Sequence, residues 1–181
     1  ADTGLPDFDS VPESIWQGCQ LLYLCTPGNP SGAVIDSEVL EGLIERSEEF
    51  DFVIASDECY SEIYADESAP PPGLLQIAAR MGCNDYKNCV AFNSLSKRSN
   101  IPGVRSGFIA GDAELLERFL LYRTYHGSAM PVHHQLISAA AWQDQAHVVT
   151  NRKVYQQKFA AVTRVLESVW RAPAPEATFY L

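Results

Sequence analysis

Positive charge is scarce in this sequence. Lys and Arg number 13 against 23 Asp and Glu, a net charge of −10 at pH 7. Nucleic-acid partners require clustered cations, so the balance argues against them; the acidic surplus reads as solubility. Long apolar runs are missing too. The best, 136–142, falls far short of the roughly 20 residues that span a bilayer, so no membrane partner is expected. The first residues carry neither a basic region nor an apolar signal core, and no initiator Met, so the chain reads as an excerpt of a longer protein. The five cysteines, at 19, 25, 59, 83 and 89, include no Cys-x-x-Cys pair. That excludes a disulfide framework and a zinc site by pattern and points to a reducing cytoplasm. Cys25 and Cys59 sit in apolar, strand-like surroundings and read as small hydrophobes. His126, His133, His134 and His147 lack the spacing of a metal-ligand set, and His133 and His134 are expected to face different ways on a wet helix surface.

What is present is an ordinary globular balance, 46% apolar and 20% charged, in a chain long enough for one real core. Neither repeats nor low-complexity tracts occur. The run 21–25 predicts a short buried strand that ends in the turn-rich stretch Thr26-Pro27-Gly28-Asn29-Pro30-Ser31-Gly32. Asp36 is placed to open a helix with Val39, Leu40, Leu43 and Ile44 on one face. A second strand, 52–55, ends at Ser56-Asp57-Glu58; residues 70–73 form a proline-rich loop and 74–81 a short helix. A third strand, 89–92, leads into Asn93-Ser94-Leu95-Ser96-Lys97, and a fourth covers 105–110. A helix with Leu115, Leu116, Phe119 and Leu120 follows; helical pattern resumes from Pro131, and 146–170 predicts one long helix, broken at 171–175. Apolar strands alternating with amphipathic helices indicate an α/β fold, a three-layer α/β/α sandwich with a mainly parallel sheet. Ligands in such sheets bind beyond the carboxyl ends of the strands.

Those ends carry Asn29, then Asp57 and Tyr60, then Ser94, Ser96 and Lys97, with Arg105 across a Pro-Gly turn. Each type has a use if the ligand is an aromatic aldehyde phosphate. A lysine amine condenses with the aldehyde and supplies a base once displaced. An aspartate at the ring nitrogen keeps it protonated, making the ring an electron sink. Asn29 and Tyr60 suit the ring hydroxyl oxygen; Ser94, Ser96 and Arg105 suit the phosphate, which Arg grips through parallel bonds. Blander roles stand beside these: Lys97 as a solvated side chain, Asp57 as a turn cap, Tyr60 as core, and the two serines on local backbone. Arg98 reads as a second cation of the site or a surface residue, and Glu48, Glu49 and Asp51 as a wet helix end.

The set Asn29-Pro30-x-Gly32, Asp57-x-x-Tyr60, Ser94-x-Ser96-Lys97 and Gly103-x-Arg105-x-Gly107 resembles the signature of fold-type-I aminotransferases of classes I and II. The stretches 94–108 and 119–130 are similar to the succinyldiaminopimelate aminotransferases of bacterial lysine biosynthesis, and the likeness runs along nearly the whole chain. The resemblance implies pyridoxal 5'-phosphate as cofactor, with Lys97, Asp57 and Tyr60 catalytic and Asn29, Asp57, Tyr60, Ser94, Ser96, Lys97 and Arg105 binding it. It implies transfer of an amino group between glutamate and the keto acid of N-succinyl-LL-2,6-diaminopimelate, and a homodimer to which 122–130 contributes. It further implies a partial large domain over 1–145, then a connecting helix and the start of a small C-terminal domain over 146–181. The family's phosphate loop and ring-stacking aromatic are expected upstream of the strand at Leu21, and its carboxylate-gripping arginine downstream of 178–181. Two other outcomes share the signature: an aminotransferase of different specificity or a carbon–sulfur lyase, and the effector-sensing domain of a transcription regulator.

Overall fold

A computed structural model of the chain describes residues 4–170 and 175–180. In chain order the elements are α1 (Glu13–Gly18), β1 (Leu21–Cys25), α2 (Ser37–Phe50), β2 (Val53–Asp57), α3 (Leu74–Arg80), β3 (Cys89–Ser94), α4 (Leu95–Arg98), a 3-10 turn (Pro102–Val104), β4 (Gly107–Gly111), α5 (Ala113–His126), α6 (Val132–Gln143) and α7 (Ala146–Leu166). The four strands form one sheet in the order β1-β2-β3-β4.

Local chemistry accounts for the first half. The Asp36 carboxylate accepts from the Val39 N–H at 2.9 Å and caps α2. The helix stops at Asp51, whose φ of 55° turns the chain left-handed. Between these ends Leu40, Leu43 and Ile44 fall on one face, and all three are buried. They pack with Leu24, Phe52, Ile54, Leu74, Ile77 and Trp16, the last stacked on Phe52 at 5.4 Å. Each large side chain removed from water here contributes about 1.5–3 kcal/mol. This core lies between the sheet and α1–α3. On the opposite face, at the β1 edge, Leu21 and Tyr23 are exposed.

Strands β1, β2 and β3 are parallel, with Cys25 opposite Asp57 and Asp57 opposite Phe92. β4 is the exception in this mainly parallel sheet. It runs antiparallel to β3, with Ser94 opposite Gly107 and the Leu95 N–H donating to the Ser106 carbonyl at 3.0 Å. The cause is the connection: α4 and the 3-10 turn fold the chain straight back, leaving no crossover helix of the kind a parallel neighbour needs.

Some expectations change. Of the four apolar residues placed on the helix after β4, Phe119 and Leu120 are exposed on α5, while Leu115 and Leu116 are half-buried. Cys59 lies in the turn after β2 rather than in a strand. The rings of His133 and His134, expected to diverge, meet edge to face at 4.5 Å. α7 ends at Leu166, short of the 170 expected, and of the break expected at 171–175 all but Pro175 lies outside the described residues. No described helix is long and apolar enough to cross a membrane.

Two charged side chains lock elements together. Arg152 of α7, 4% exposed, pairs with Glu62 at 3.0 Å and Glu67 at 2.8 Å and lies over the Tyr64 ring at 4.1 Å. Glu58, 8% exposed, accepts from the Leu74 N–H at 2.7 Å and the Ser56 hydroxyl at 3.1 Å, tying the end of β2 to the start of α3. Burial pushes the Glu58 carboxyl above its ordinary 4.5, against those two donors. A group whose pKa is higher folded than unfolded favours the native state most below its unfolded value and loses that contribution as pH rises through the folded one. Glu58→Gln, which retains an acceptor without the charge, is expected to hold or raise Tm near neutral pH and to flatten its acid-side dependence in thermal denaturation of the full-length protein. Glu58→Ala strands the Leu74 N–H and is expected to cost about 1–3 kcal/mol.

Candidate functional site

Parallel pairing brings the ends of β1, β2 and β3 to one level, and the polar residues singled out in the sequence gather there. Asp57 closes β2. Its Oδ1 accepts from the Cys59 N–H at 3.1 Å, the turn-capping role, and its Oδ2 accepts from the Tyr23 hydroxyl at 3.3 Å. Tyr23 and Asp57 share a face because Tyr23 is opposite Ala55, two residues before the carboxylate. Burial raises the Tyr23 phenol, and the Asp57 charge raises it further, so Tyr23 remains a proton donor to the carboxylate.

Tyr60, 6% exposed, begins a chain of polar contacts. The Asn29 amide donates to its hydroxyl at 3.5 Å, and that hydroxyl shares a 2.9 Å hydrogen bond with Tyr180. Burial drives the Tyr60 phenol well above its ordinary value, and the Tyr180 hydroxyl adds to the shift; Tyr60 is therefore neutral and able to donate. Tyr180 arrives on a C-terminal segment docked by backbone bonds. Thr178 N–H donates to the Ile63 carbonyl at 2.8 Å, and Ala177 N–H to the Gly32 carbonyl at 3.2 Å. Gly32 has φ of +71°, and a Cβ there would lie 2.8 Å from the Ala177 carbonyl oxygen. The glycine of the Asn-Pro-x-Gly turn is thus what lets this segment approach.

Lys97 is half-buried on the single turn of α4. Its Nζ lies 4.6 Å from the centre of the Phe179 ring and 5.7 Å from that of Tyr60. The amine and the Asp57 carboxylate both act on the Cys59 thiol, which burial, reinforced by Asp57 and opposed by Lys97, pushes up to about 12. Beside the lysine the Ser94 hydroxyl donates to Ser96 Oγ at 2.9 Å and to the Ser106 carbonyl at 3.3 Å. Arg105 Nη1 reaches Ser96 Oγ at 3.5 Å and the Pro102 carbonyl at 2.9 Å, from a backbone with φ of 53°. Ser94 does bond local backbone, accepting from the Ser96 N–H at 3.1 Å, whereas Ser96 Oγ meets only side chains among the described residues; with Arg105 the two serines make a cation-and-hydroxyl set suited to an anion.

Arg98 belongs to neither the site nor the surface. It is 7% exposed and donates to the Ala141 carbonyl and Gln145 Oε1, each at 2.8 Å, over the Trp142 ring. Sequence reasoning missed Tyr23, Phe179 and Tyr180. The alternation of β1 carries a signal for Tyr23; the aromatic pair is 120 positions from Tyr60, and no local pattern announces it. Among the described residues no group of three or more His, Cys, Asp or Glu is placed to hold a metal ion.

Against known proteins, the chain is 49% identical to an aminotransferase from Neisseria meningitidis whose crystal structure superposes with a TM-score of 0.90, covering 98% of this chain and 44% of that one. A probable N-succinyldiaminopimelate aminotransferase from Thermus thermophilus, 24% identical with a TM-score of 0.87 over 98% of this chain and 47% of its own, shares the fold. An LL-diaminopimelate aminotransferase from Nitratidesulfovibrio vulgaris is 31% identical over 98% of this chain and 45% of its own length. The chain therefore spans less than half the length of the relatives it matches. These neighbours are fold-type-I enzymes, and the α/β sheet with its flanking helices is that fold in part. Residues 2–181 match the profile of aminotransferase class I and II, and the chain belongs to that family.

Proposed function

We propose that the full-length protein transfers amino groups between amino and keto acids with pyridoxal 5'-phosphate, and that Lys97 anchors the cofactor. The observation that carries this reading is the gathering of an amine, a carboxylate and a cation-with-hydroxyls set at one end of a parallel sheet in an aminotransferase chain.

The donor set fits the cofactor. Asp57 would face the pyridine nitrogen, Tyr60 and Asn29 the ring oxygen, and Ser94, Ser96 and Arg105 the phosphate. Bound there, pyridoxal phosphate supplies an aldehyde that condenses with amines and a ring that accepts the electrons of a carbanion. Lys97 would hold the aldehyde carbon and would move a proton at the substrate α-carbon. The Asp57 carboxylate, oriented by Tyr23 and the Cys59 N–H, would hold the proton of the ring nitrogen. Tyr60, kept neutral by burial, would donate to the ring oxygen.

The substrate reading is glutamate with the keto acid of N-succinyl-LL-2,6-diaminopimelate, a step of lysine biosynthesis in the cytoplasm. It rests on the likeness of 94–108 and 119–130 to that group, supported by the 31% identity to an LL-diaminopimelate aminotransferase. Residues 1–145 would be the partial large domain, with α7 leading toward a small one. A homodimer is part of the same reading: Leu120, Leu121, Tyr122 and Tyr125 of α5 and Val132 and Leu136 of α6 are all exposed, an apolar surface suited to a partner subunit.

Lys97→Ala in the full-length protein is expected to abolish the visible colour that survives dialysis and the mass adduct formed on borohydride reduction, and to lower turnover by about a thousandfold or more. Colour and adduct that persist would remove Lys97 from its role. Asp57→Asn is expected to bind cofactor yet slow α-proton removal roughly 100- to 10,000-fold, read as a larger isotope effect with α-deuterated glutamate; an unchanged rate refutes the assignment. Substrate identity has its own readout. Glutamate should convert the bound cofactor to its amine form in the absorption spectrum, and N-succinyl-2-amino-6-oxopimelate should restore the original band. Conversion by glutamate without that restoration refutes the substrate alone.

A further inference from the structure

We propose that Arg98, His147 and Asn151 are positioning residues that clamp the Lys97 turn onto the α6–α7 elbow, so that the placement of the reactive amine is set by α7. The inference rests on the reading of Lys97 as cofactor anchor.

α4 is weak on its own. It is four residues long and closed by a Ser99 N–H bond to the Leu95 carbonyl at 3.1 Å. A single turn fixes several dihedrals for one hydrogen bond and does not hold its shape alone. Its geometry must come from outside, and three consecutive residues reach to the same place. The Lys97 carbonyl accepts from the Asn151 amide of α7 at 3.5 Å, the longest of the contacts. Arg98 spans to α6 and the elbow through Ala141 and Gln145, with its guanidinium 4.9 Å from the Trp142 ring centre. Ser99 Oγ lies 2.8 Å from His147 Nε2, and His147 Nδ1 lies 2.8 Å from Asp144 Oδ2.

The chemistry of the last relay fixes its Asp144 end. A carboxylate only accepts, so His147 Nδ1 carries a proton facing Asp144, and Nε2 shares the second hydrogen bond with the Ser99 hydroxyl. Asp144 is held below the usual carboxylate range chiefly by His147, consistent with a formed pair. Ser99 Oγ also lies 3.4 Å from Arg98 Nη1, so the relay runs inward to a buried cation. The cation is well satisfied: two hydrogen bonds at 2.8 Å in a buried setting are the strong, charge-assisted kind.

α7 also approaches the amine itself. One residue beyond Asn151, Arg152 grips Glu62 and Glu67 in the segment that follows Tyr60. One turn later Tyr155 stacks on Phe179 at 5.8 Å, the ring over which the Lys97 amine lies. Backbone and side chain of Lys97 are thus referred to one helix. A shift of that helix moves the amine relative to Asp57 on β2, and misplacement of about 1 Å can cost a reacting group roughly 100-fold.

The test uses the full-length protein with His147→Ala, Arg98→Met and the milder Ser99→Ala. In cofactor-free protein, hydrogen exchange over residues 95–99 is expected to rise in all three while the β3 peptides keep their protection. In the loaded protein the pH midpoint of the Lys97-linked visible band should shift, and kcat should fall about 10- to 100-fold with KM for glutamate changed less than about twofold. Arg98→Lys should fail to rescue, because an ammonium cannot reproduce the planar fork over Trp142. Exchange at 95–99 and a band midpoint that both match wild type overturn the clamp, even if Tm falls. Absence of a Lys97-linked band in wild type sinks the functional reading instead, and the exchange measurement still decides whether the clamp exists.

Discussion

Three parallel strands paired in register are the constraint from which the rest follows. Cys25, Asp57 and Phe92 stand side by side, so whatever each strand carries just beyond these positions is delivered to one level. The ladder continues briefly past the strands: Thr26 N–H donates to the Asp57 carbonyl at 3.1 Å and Glu58 N–H to the Phe92 carbonyl at 2.9 Å. The loops that bear Asn29, Tyr60 and Lys97 therefore leave from a rigid edge. The energy that maintains this edge is stored below it, in the fully buried Leu40, Leu43, Ile44, Phe52, Ile54, Leu74 and Ile77. A polar cluster of this kind does not stabilise itself, since bringing like and unlike charges together out of water costs about as much as their attraction returns.

Much of this was legible in the sequence, for identifiable reasons. Continuous apolar runs mark strands, and β1, β2 and β3 were found by them, although β1, expected to be buried, is an edge strand with Leu21 and Tyr23 exposed. Asp36 ahead of Val39, Leu40, Leu43 and Ile44 marks a cap and a face, and α2 follows it residue for residue. The candidate site was readable because its members follow strand ends at short range. What escaped depends on tertiary partners. An apolar face on α5 does not say whether anything covers it, and Phe119 and Leu120 are exposed. An arginine next to Lys97 looks like a ligand cation until α6 folds onto it. Antiparallel β4 required knowing that 95–106 turns back on itself. Tyr180 meets Tyr60 only because Gly32 admits the C-terminal segment, a contact between three stretches distant in sequence.

Two adjacent carboxylates illustrate how the sheet assigns roles. Asp57 and Glu58 are neighbours in the chain, yet strand alternation sends them to opposite sides. Asp57 points to the face of Tyr23, where its oxygens each meet one donor and the half-open setting leaves lone pairs available to a ligand. Glu58 points to the face of Ile54 and Ser56 and spends its charge on the Leu74 N–H at the start of α3. The same acid group is a candidate for chemistry on one side and a structural pin on the other. Removing the pin would disturb the ligand face as well, because one peptide unit joins the two residues.

The position of Lys97 adds a second level to this arrangement. Strand register places Asp57 and Ser94, but the lysine sits three residues past Ser94 on a turn too short to hold its own shape. Its carbonyl, its neighbour Arg98 and Ser99 are all fastened to residues 141–151, while its amine meets Phe179, backed by Tyr155 of α7. The carboxylate is thus fixed to the sheet and the amine to a helix. Chemistry that needs the two in concert depends on how firmly α7 is held against β2. Arg152, reaching from α7 to Glu62 just beyond the Asp57 turn, bonds those two frames directly, and Gln156 adds bonds to the Tyr64 and Ala65 carbonyls.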